Sequence, residues 1–156
     1  MIDLKETLSQ HRIDFEWYDH EPIFTYEAAE NMKAEKGFTG TETKSLYLKD
    51  KQGNHYTYFT LPHKSIDFKV LKEITGKKLS IVRTEVMEAE TGQKAGAVGP
   101  IGYEEPTPLI LDKELLEYEK LVFAPGKPDA TIVIYSKDLE RICEILETEL
   151  IVYDQP

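Results

Sequence analysis

The sequence predicts an α+β fold, a mixed and largely antiparallel sheet with helices around it. Two observations carry this. Segments rich in β-branched and aromatic residues fall in pairs joined by short turns, as in hairpins. Between them run stretches whose apolar residues recur at helical spacing. A third observation bounds the size. The chain has 156 residues, 40% of them hydrophobic, which suits one core of ordinary domain size. No repeat, Ser/Gly-rich linker or low-complexity stretch divides it, so residues 1–156 read as a single domain.

The elements follow in order. Residues 3–12 predict a helix, with Leu4 and Leu8 four apart on one face. Phe15 to Tyr18 predicts a short strand. Thr25 can cap a helix over 26–36, and Gly37 can end it in a left-handed turn. Leu46 and Leu48 alternate with polar neighbours in a strand over 44–49. The turn Lys51-Gln52-Gly53-Asn54 leads to Tyr56-Thr57-Tyr58-Phe59-Thr60, so the pair reads as a hairpin. Asp67 opens a helix presenting Phe68, Leu71 and Ile74, and Gly76 stops it. Leu79 to Val82 predicts a strand, and Thr84 a cap for a helix to about Glu90. Leu109 to Leu111, Leu121 to Phe123 and Thr131 to Tyr135 predict three more strands. Ser136 is read as the cap of a long last helix carrying Leu139, Ile142, Cys143, Ile145 and Leu146. Leu150 to Tyr153 predicts an edge strand.

Composition excludes several classes. The 40% hydrophobic content excludes global disorder. No apolar run reaches the 18 or more residues of a membrane span. The N-terminal MIDLKETLSQHR lacks the layout of a signal peptide. A single cysteine, Cys143, excludes an internal disulfide and a multi-cysteine metal site. The expectation is a soluble cytoplasmic protein with no membrane contact.

Charge adds a local signal. The net charge is −10, which argues against broad coating of nucleic acid. Residues 1–43 carry a net −6 and residues 79–156 a net −9, but residues 44–78 carry +5. A basic middle third can mark an anion site, or it can be a set of solvated lysines.

No Walker loop, HExxH, GxSxG or dinucleotide fingerprint is present. His11, His20, His55 and His63 have no zinc-like spacing. Cys143 lies on the apolar face of its helix and reads as a packed thiol rather than a nucleophile. Three features remain. The loop Gly92-Gln93-Lys94-Ala95-Gly96-Ala97-Val98-Gly99-Pro100-Ile101-Gly102 can bring backbone N–H groups to a carboxylate, phosphate or oxyanion. A tight connection would use the same residues. Lys44 opens an apolar strand after a polar Thr-Glu-Thr run. Pro125-Gly126-Lys127-Pro128 joins two strands.

In this order and spacing, these features resemble the YbaK / prolyl-tRNA-synthetase-associated editing domain family. The similarity runs from His20 to about Glu147. It rests on His20-Glu21-Pro22 with Thr25, Thr43-Lys44-Ser45-Leu46-Tyr47-Leu48, Asp67-Phe68-Lys69-Val70-Leu71, the Gly92–Gly102 loop, Phe123-Ala124-Pro125-Gly126-Lys127 with Thr131, and Lys137-Asp138-Leu139.

The resemblance implies a partly barrel-like sheet and a free-standing aminoacyl-tRNA deacylase acting in trans. The expected substrate is alanyl-tRNA for proline, with cysteinyl-tRNA or another small aminoacyl-tRNA as the alternative. A pocket made for proline cannot strongly reject a smaller amino acid, since a missing methylene is worth only about 1–3 kcal/mol. The resemblance gives Lys44 the role of holding the terminal-adenosine end of the substrate. It gives Gly96, Ala97 and Val98 the role of orienting the ester and its water. His20, Pro22, Thr25 and Ser45 fall in pocket-lining positions, as do Gly99, Pro100, Ala124, Gly126, Lys127 and Thr131. Partners would be the 3′ end of aminoacyl-tRNA and, transiently, prolyl-tRNA synthetase or an elongation factor. Ester hydrolysis by a positioned water needs no cofactor and no metal.

Two positions depart from the family pattern. Ala124 stands where alanine-specific relatives often carry His and cysteine-specific ones Ser. Lys94-Ala95-Gly96 stands where many relatives have Pro before the second glycine. Ala124 also leaves open a non-catalytic aminoacyl-binding module of the same fold.

Overall fold

A computed structural model describes residues 1–154. Its elements, in chain order, are α1 (Leu4–Gln10), β1 (Phe15–Asp19), α2 (Tyr26–Lys36), β2 (Thr41–Glu42), β3 (Lys44–Lys49), β4 (His55–Thr60), α3 (Phe68–Thr75), β5 (Ser80–Ile81), α4 (Thr84–Thr91), β6 (Leu109–Asp112), β7 (Lys120–Phe123), β8 (Ala130–Tyr135), α5 (Leu139–Ile145) and β9 (Leu150–Tyr153). Short 3₁₀ turns at Lys113–Glu117 and Ser136–Asp138 follow β6 and β8.

The α+β class is as expected, and the strands do not close into a barrel. They divide into two open sheets, one ordered β1-β8-β7-β2 and the other β5-β3-β4-β6-β9. Both are mixed. The β1–β8, β7–β8, β3–β4 and β3–β5 pairs are antiparallel, whereas β2–β7, β4–β6 and β6–β9 are parallel. The chain steps from one sheet to the other at Thr43, between β2 and β3.

Side-chain alternation along the strands sets the layers. Leu109 and Leu111 of β6, Leu121 and Phe123 of β7, and Ile132 and Ile134 of β8 face inward. With Phe59, and with Leu4, Leu8, Leu139 and Ile142 from α1 and α5, they form the main core between the sheets. The intervening residues face outward and are buried too. Ile110 joins Leu48, Tyr58, Leu71 and Tyr153 beneath α3. Val122 and Val133 meet Met32 and Phe38 beneath α2. Burial on both faces gives these strands their near-continuous hydrophobic runs. Each fully buried Leu or Ile contributes about 1.5–3 kcal/mol.

Local signals place most elements. Asp3 accepts the Glu6 amide at 3.0 Å and starts α1, and Thr25 accepts the Ala28 amide at 3.1 Å and starts α2. Asp67 accepts the Lys69 and Val70 amides at the head of α3. Asp50 accepts the Gln52 and Asn54 amides, both at 2.9 Å, and closes the β3–β4 hairpin.

Four expectations are corrected. Thr84 is the first helical residue of α4, and Arg83 occupies the cap without a side-chain bond. The hydroxyl of Ser136 donates to the Tyr118 carbonyl instead of capping a long helix, and α5 runs for only seven residues after a 3₁₀ turn. Helix α1 stops at Gln10, because Arg12 takes a positive φ of 56°. The strand over 79–82 shortens to Ser80–Ile81. Cys143 is a buried core thiol, its pKa pushed up to about 12 chiefly by burial. Among the described residues, no helix is long and apolar enough to cross a membrane.

Candidate active site

A cavity of about 280 Å³ lies at the seam between the two sheets. Glu42 and Thr43 reach it from the β2 side, Lys44 and Ser45 from the start of β3. Val122, Phe123 and Ala124 come from the end of β7, and Ala130 and Thr131 from the start of β8. Ile23, Tyr26, Ala29 and Met32 roof it, and Gly96, Ala97 and Val98 close one side. The volume is at the small end for ligand sites. It suits one small group.

Lys44 is held from behind. Its ammonium donates to the Lys64 carbonyl, and burial lowers its pKa. The Lys64 segment is itself anchored, because the Lys64 ammonium lies 2.9 Å from Asp112 and 3.1 Å from Glu114. Asp112 is fully buried and also accepts the Thr60 hydroxyl at 2.6 Å. A charge held this way keeps its direction.

The glycine-rich loop is pinned at three points. The Gln93 amide oxygen accepts the Gly99 amide at 2.8 Å, its amide nitrogen donates to the Tyr103 hydroxyl at 2.9 Å, and that hydroxyl donates to the Gly99 carbonyl at 2.7 Å. Two glycines are required by close approach. A Cβ on Gly96 would lie 2.1 Å from the Phe24 carbonyl oxygen, at a φ of +84°. A Cβ on Gly99 would lie 2.6 Å from the Ala124 carbonyl oxygen. The Ala97 amide donates to the Lys94 carbonyl at 3.0 Å. On either side of it, the Gly96 and Val98 amides meet no acceptor among the described residues.

His20 and Thr131 form a second polar pair. The His20 Nδ1 lies 2.8 Å from the Glu21 carbonyl, and its Nε2 lies 2.7 Å from the Thr131 hydroxyl. A carbonyl only accepts, so in the neutral ring Nδ1 carries the proton and Nε2 accepts from Thr131. The Thr131 oxygen keeps free lone pairs as a result. Ala124 presents only a methyl at this corner.

Eight predicted residues therefore share one cavity: His20, Lys44, Ser45, Gly96, Ala97, Val98, Ala124 and Thr131. The other six lie outside its lining. Pro22 is exposed. Thr25 caps α2, and Gly99 sits in the loop's hydrogen-bond circuit. The Pro100 carbonyl accepts the Thr57 hydroxyl at 2.8 Å. Gly126 packs against Met1, and the Lys127 ammonium lies 5.6 Å from the Trp17 ring centre.

Two polar side chains at the cavity are buried without a hydrogen-bond partner, the Ser45 hydroxyl and the Glu42 Oε1. Glu42 was not singled out from the sequence. Burial raises its pKa to about 7; the Lys33 ammonium, 4.0 Å away, opposes that shift and Glu30 adds to it. Glu42 stands between two threonines at the end of the two-residue strand β2, where no periodicity marks it. Among the described residues, no three His, Cys, Asp or Glu side chains group as a metal site.

The aminoacyl-tRNA editing domain profile matches residues 20–142, a span that contains every polar group of this cavity. The chain belongs to the aminoacyl-tRNA editing domain family. The editing domain is 28% identical over 141 residues to the prolyl-tRNA editing protein ProX of Acetoanaerobium sticklandii, covering 86% of this chain and 85% of that protein. Its fold matches the crystal structure of the hypothetical protein APE2540 with a TM-score of 0.78 at 19% identity, over 97% of this chain and 99% of the other. It also matches a proposed trans-editing enzyme for prolyl tRNA synthetase, with a TM-score of 0.72 at 22% identity, over 98% and 95% of the two chains. As a member of this family, the editing domain is a hydrolase acting on the ester of aminoacyl-tRNA.

Proposed function

We propose that the whole chain, residues 1–156, is one editing domain that works in trans in the cytoplasm. It removes a small amino acid from mischarged tRNA, alanine from tRNA for proline in the first place. The observation that carries this reading is that Lys44 and the Gly96–Val98 backbone face one small cavity. The name of the ProX relative, a prolyl-tRNA editing protein, supports the choice of tRNA.

The reaction needs few parts. Lys44 holds the terminal-adenosine end of the substrate by charge. A water in the cavity attacks the ester carbonyl carbon. The Gly96 and Val98 amides receive the negative charge that develops on the carbonyl oxygen. Collapse of the tetrahedral intermediate breaks the bond to the ribose oxygen, which takes a proton and leaves as the tRNA hydroxyl. The attacking water has become part of the free amino acid. No protein nucleophile is involved, and holding water and ester together supplies much of the acceleration. Prolyl-tRNA synthetase or an elongation factor would meet the protein only in passing, as donor of the charged tRNA.

The test is a deacylation panel of alanyl-tRNA for proline with cysteinyl- and seryl-tRNA, using wild type and Lys44→Ala. Loss of the ester above buffer in wild type, abolished in Lys44→Ala, is the expected result. Absence of hydrolysis across the panel, with the variant indistinguishable from wild type, overturns the reading. Ala124 favours a second one, a non-catalytic aminoacyl-binding module, because it removes a polar side chain from the corner beside Thr131. Rapid turnover in the same panel eliminates that alternative.

A further inference from the structure

Glu42 is expensive to keep where it is. Its side chain is 8% exposed, its Oε1 has no hydrogen-bond partner, and it lines the cavity among Ile23, Met32 and Val122. Strand β2 fixes its position through the parallel pairing of Glu42 with Val122. Lys33 does not complete it. The Lys33 ammonium gives its close hydrogen bond to the Gly40 carbonyl and stands 4.0 Å from the carboxylate, at the limit of an ion pair. A buried carboxylate with an open acceptor is a standing penalty unless something supplies a donor.

The local field states what that donor should be. Glu42 and Glu30 act against the single charge of Lys33, so this end of the cavity favours a cation. Resting on the reading of the cavity as an aminoacyl site, we infer that Glu42 receives the α-ammonium group of the bound aminoacyl ester and thereby sets the orientation of the amino acid. The α-ammonium is the cationic donor that every such ester carries, whatever its side chain. Glu42 is then a specificity-determining residue of the substrate's amino end. The adenosine end is assigned to Lys44. Once the ammonium is held, the amino acid side chain is directed at the apolar lining from Ile23, Met32 and Val122, where a small group fits best.

The experiment uses two non-hydrolysable probes with the full chain near neutral pH: 3′-alanylamido-3′-deoxyadenosine, and its 3′-propionylamido counterpart, which lacks only the amine. Binding is followed by NMR titration for wild type, Glu42→Gln and Glu42→Asp. The expected result is that wild type prefers the alanyl probe at least about tenfold, the range of one charge-assisted hydrogen bond. Glu42→Gln should lose most of that preference while keeping its affinity for the propionyl probe, and Glu42→Asp should regain part of it. Backbone amide spectra of each variant establish that the fold is kept. Equal affinity of wild type for the two probes, binding of neither, or an undiminished preference in Glu42→Gln overturns the inference. Hydrolysis of alanyl-tRNA is measured separately. Hydrolysis without an amine preference removes the role of Glu42 and leaves the deacylase reading. An amine preference without hydrolysis does the reverse.

Discussion

The backbone carbonyl of Lys64 accepts the ammonium of Lys44, while the Lys64 side chain is tied to Asp112 at 2.9 Å. One residue thus links the candidate substrate-holding charge to a fully buried carboxylate on β6. Asp112→Asn should destabilise the fold by about 3 kcal/mol, since it leaves the Lys64 charge under-compensated in a mostly buried place. It should also lower kcat/KM at least tenfold, because the carbonyl that aims Lys44 is no longer held. Glu114→Gln, on the more exposed side of the same lysine, should cost under about 1 kcal/mol. Chemical denaturation beside a deacylation assay checks both.

Glu42 gives a pH signature. Its pKa is raised by burial from 4.5 to about 7, with Lys33 opposing and Glu30 reinforcing from α2. Tyr26, on the same helix, also feels this carboxylate. The folded state therefore holds a proton that the unfolded state releases near pH 4.5. Stability falls as pH rises through that interval, and the loss is complete above pH 7. Its size is about 3 kcal/mol. Glu42→Gln should be more stable than wild type at pH 8 by up to that amount, with the gain vanishing toward pH 4.5. Urea unfolding at a series of pH values measures it, and a gain independent of pH would contradict the assignment.

Gly96→Ala should uncouple activity from stability. The added methyl meets the Phe24 carbonyl oxygen in a left-handed backbone region, so the loop must move. Lys94, Ala95 and Gly96 are exposed, so this stretch can give way without disturbing the core. A melting temperature lowered by a few degrees, with kcat down more than tenfold, is expected.

Gln93→Leu should cost about 1–3 kcal/mol, the range for a buried amide left without its acceptor, here that of Gly99. Gln93→Glu keeps the acceptor and should recover part of that loss. Thermal melting of the two variants distinguishes the lost hydrogen bond from a simple change of volume.

Affinity for uncharged tRNA should be weak and should fall further with added salt. Phosphate attraction is salt-dependent, and a chain of net charge −10 has little of it to offer. Fluorescence anisotropy at two salt concentrations is sufficient; tight, salt-insensitive binding would oppose the small nucleic-acid footprint.

Much of this was legible from local pattern. The β3–β4 hairpin was read because alternation, turn residues and β-rich composition coincide over 44–60. Helix α2 was read because Thr25 and Gly37 mark its two ends. Pairing between distant segments was not legible. Strand β2 has only two residues and no periodicity, and its parallel partner β7 lies some eighty positions on. The division into two sheets is a property of such pairings and leaves no trace in any one segment. Ser136 has the residue type of a cap, but its hydroxyl found the Tyr118 carbonyl. At the site, Lys44 stood out by its place before an apolar strand. Glu42 did not, since a glutamate between two threonines reads as solvated. Thr25, Gly126 and Lys127 shared the motifs of the cavity residues, yet the chain uses them at its edges.

The Phe59 and Phe123 rings meet edge to face at 5.6 Å between the two sheets. Phe59 pairs across its own sheet with Ser45, and Phe123 itself lines the cavity. This aromatic contact is therefore a spacer that sets the width of the seam that holds the candidate site. Lys44 is mounted on one side of that gap and Thr131 on the other. Any change in the thickness of the hydrophobic layer is transmitted as a change in the distance between them. The size of group the cavity admits is then partly a gauge, cut by the core rather than by the residues that line it.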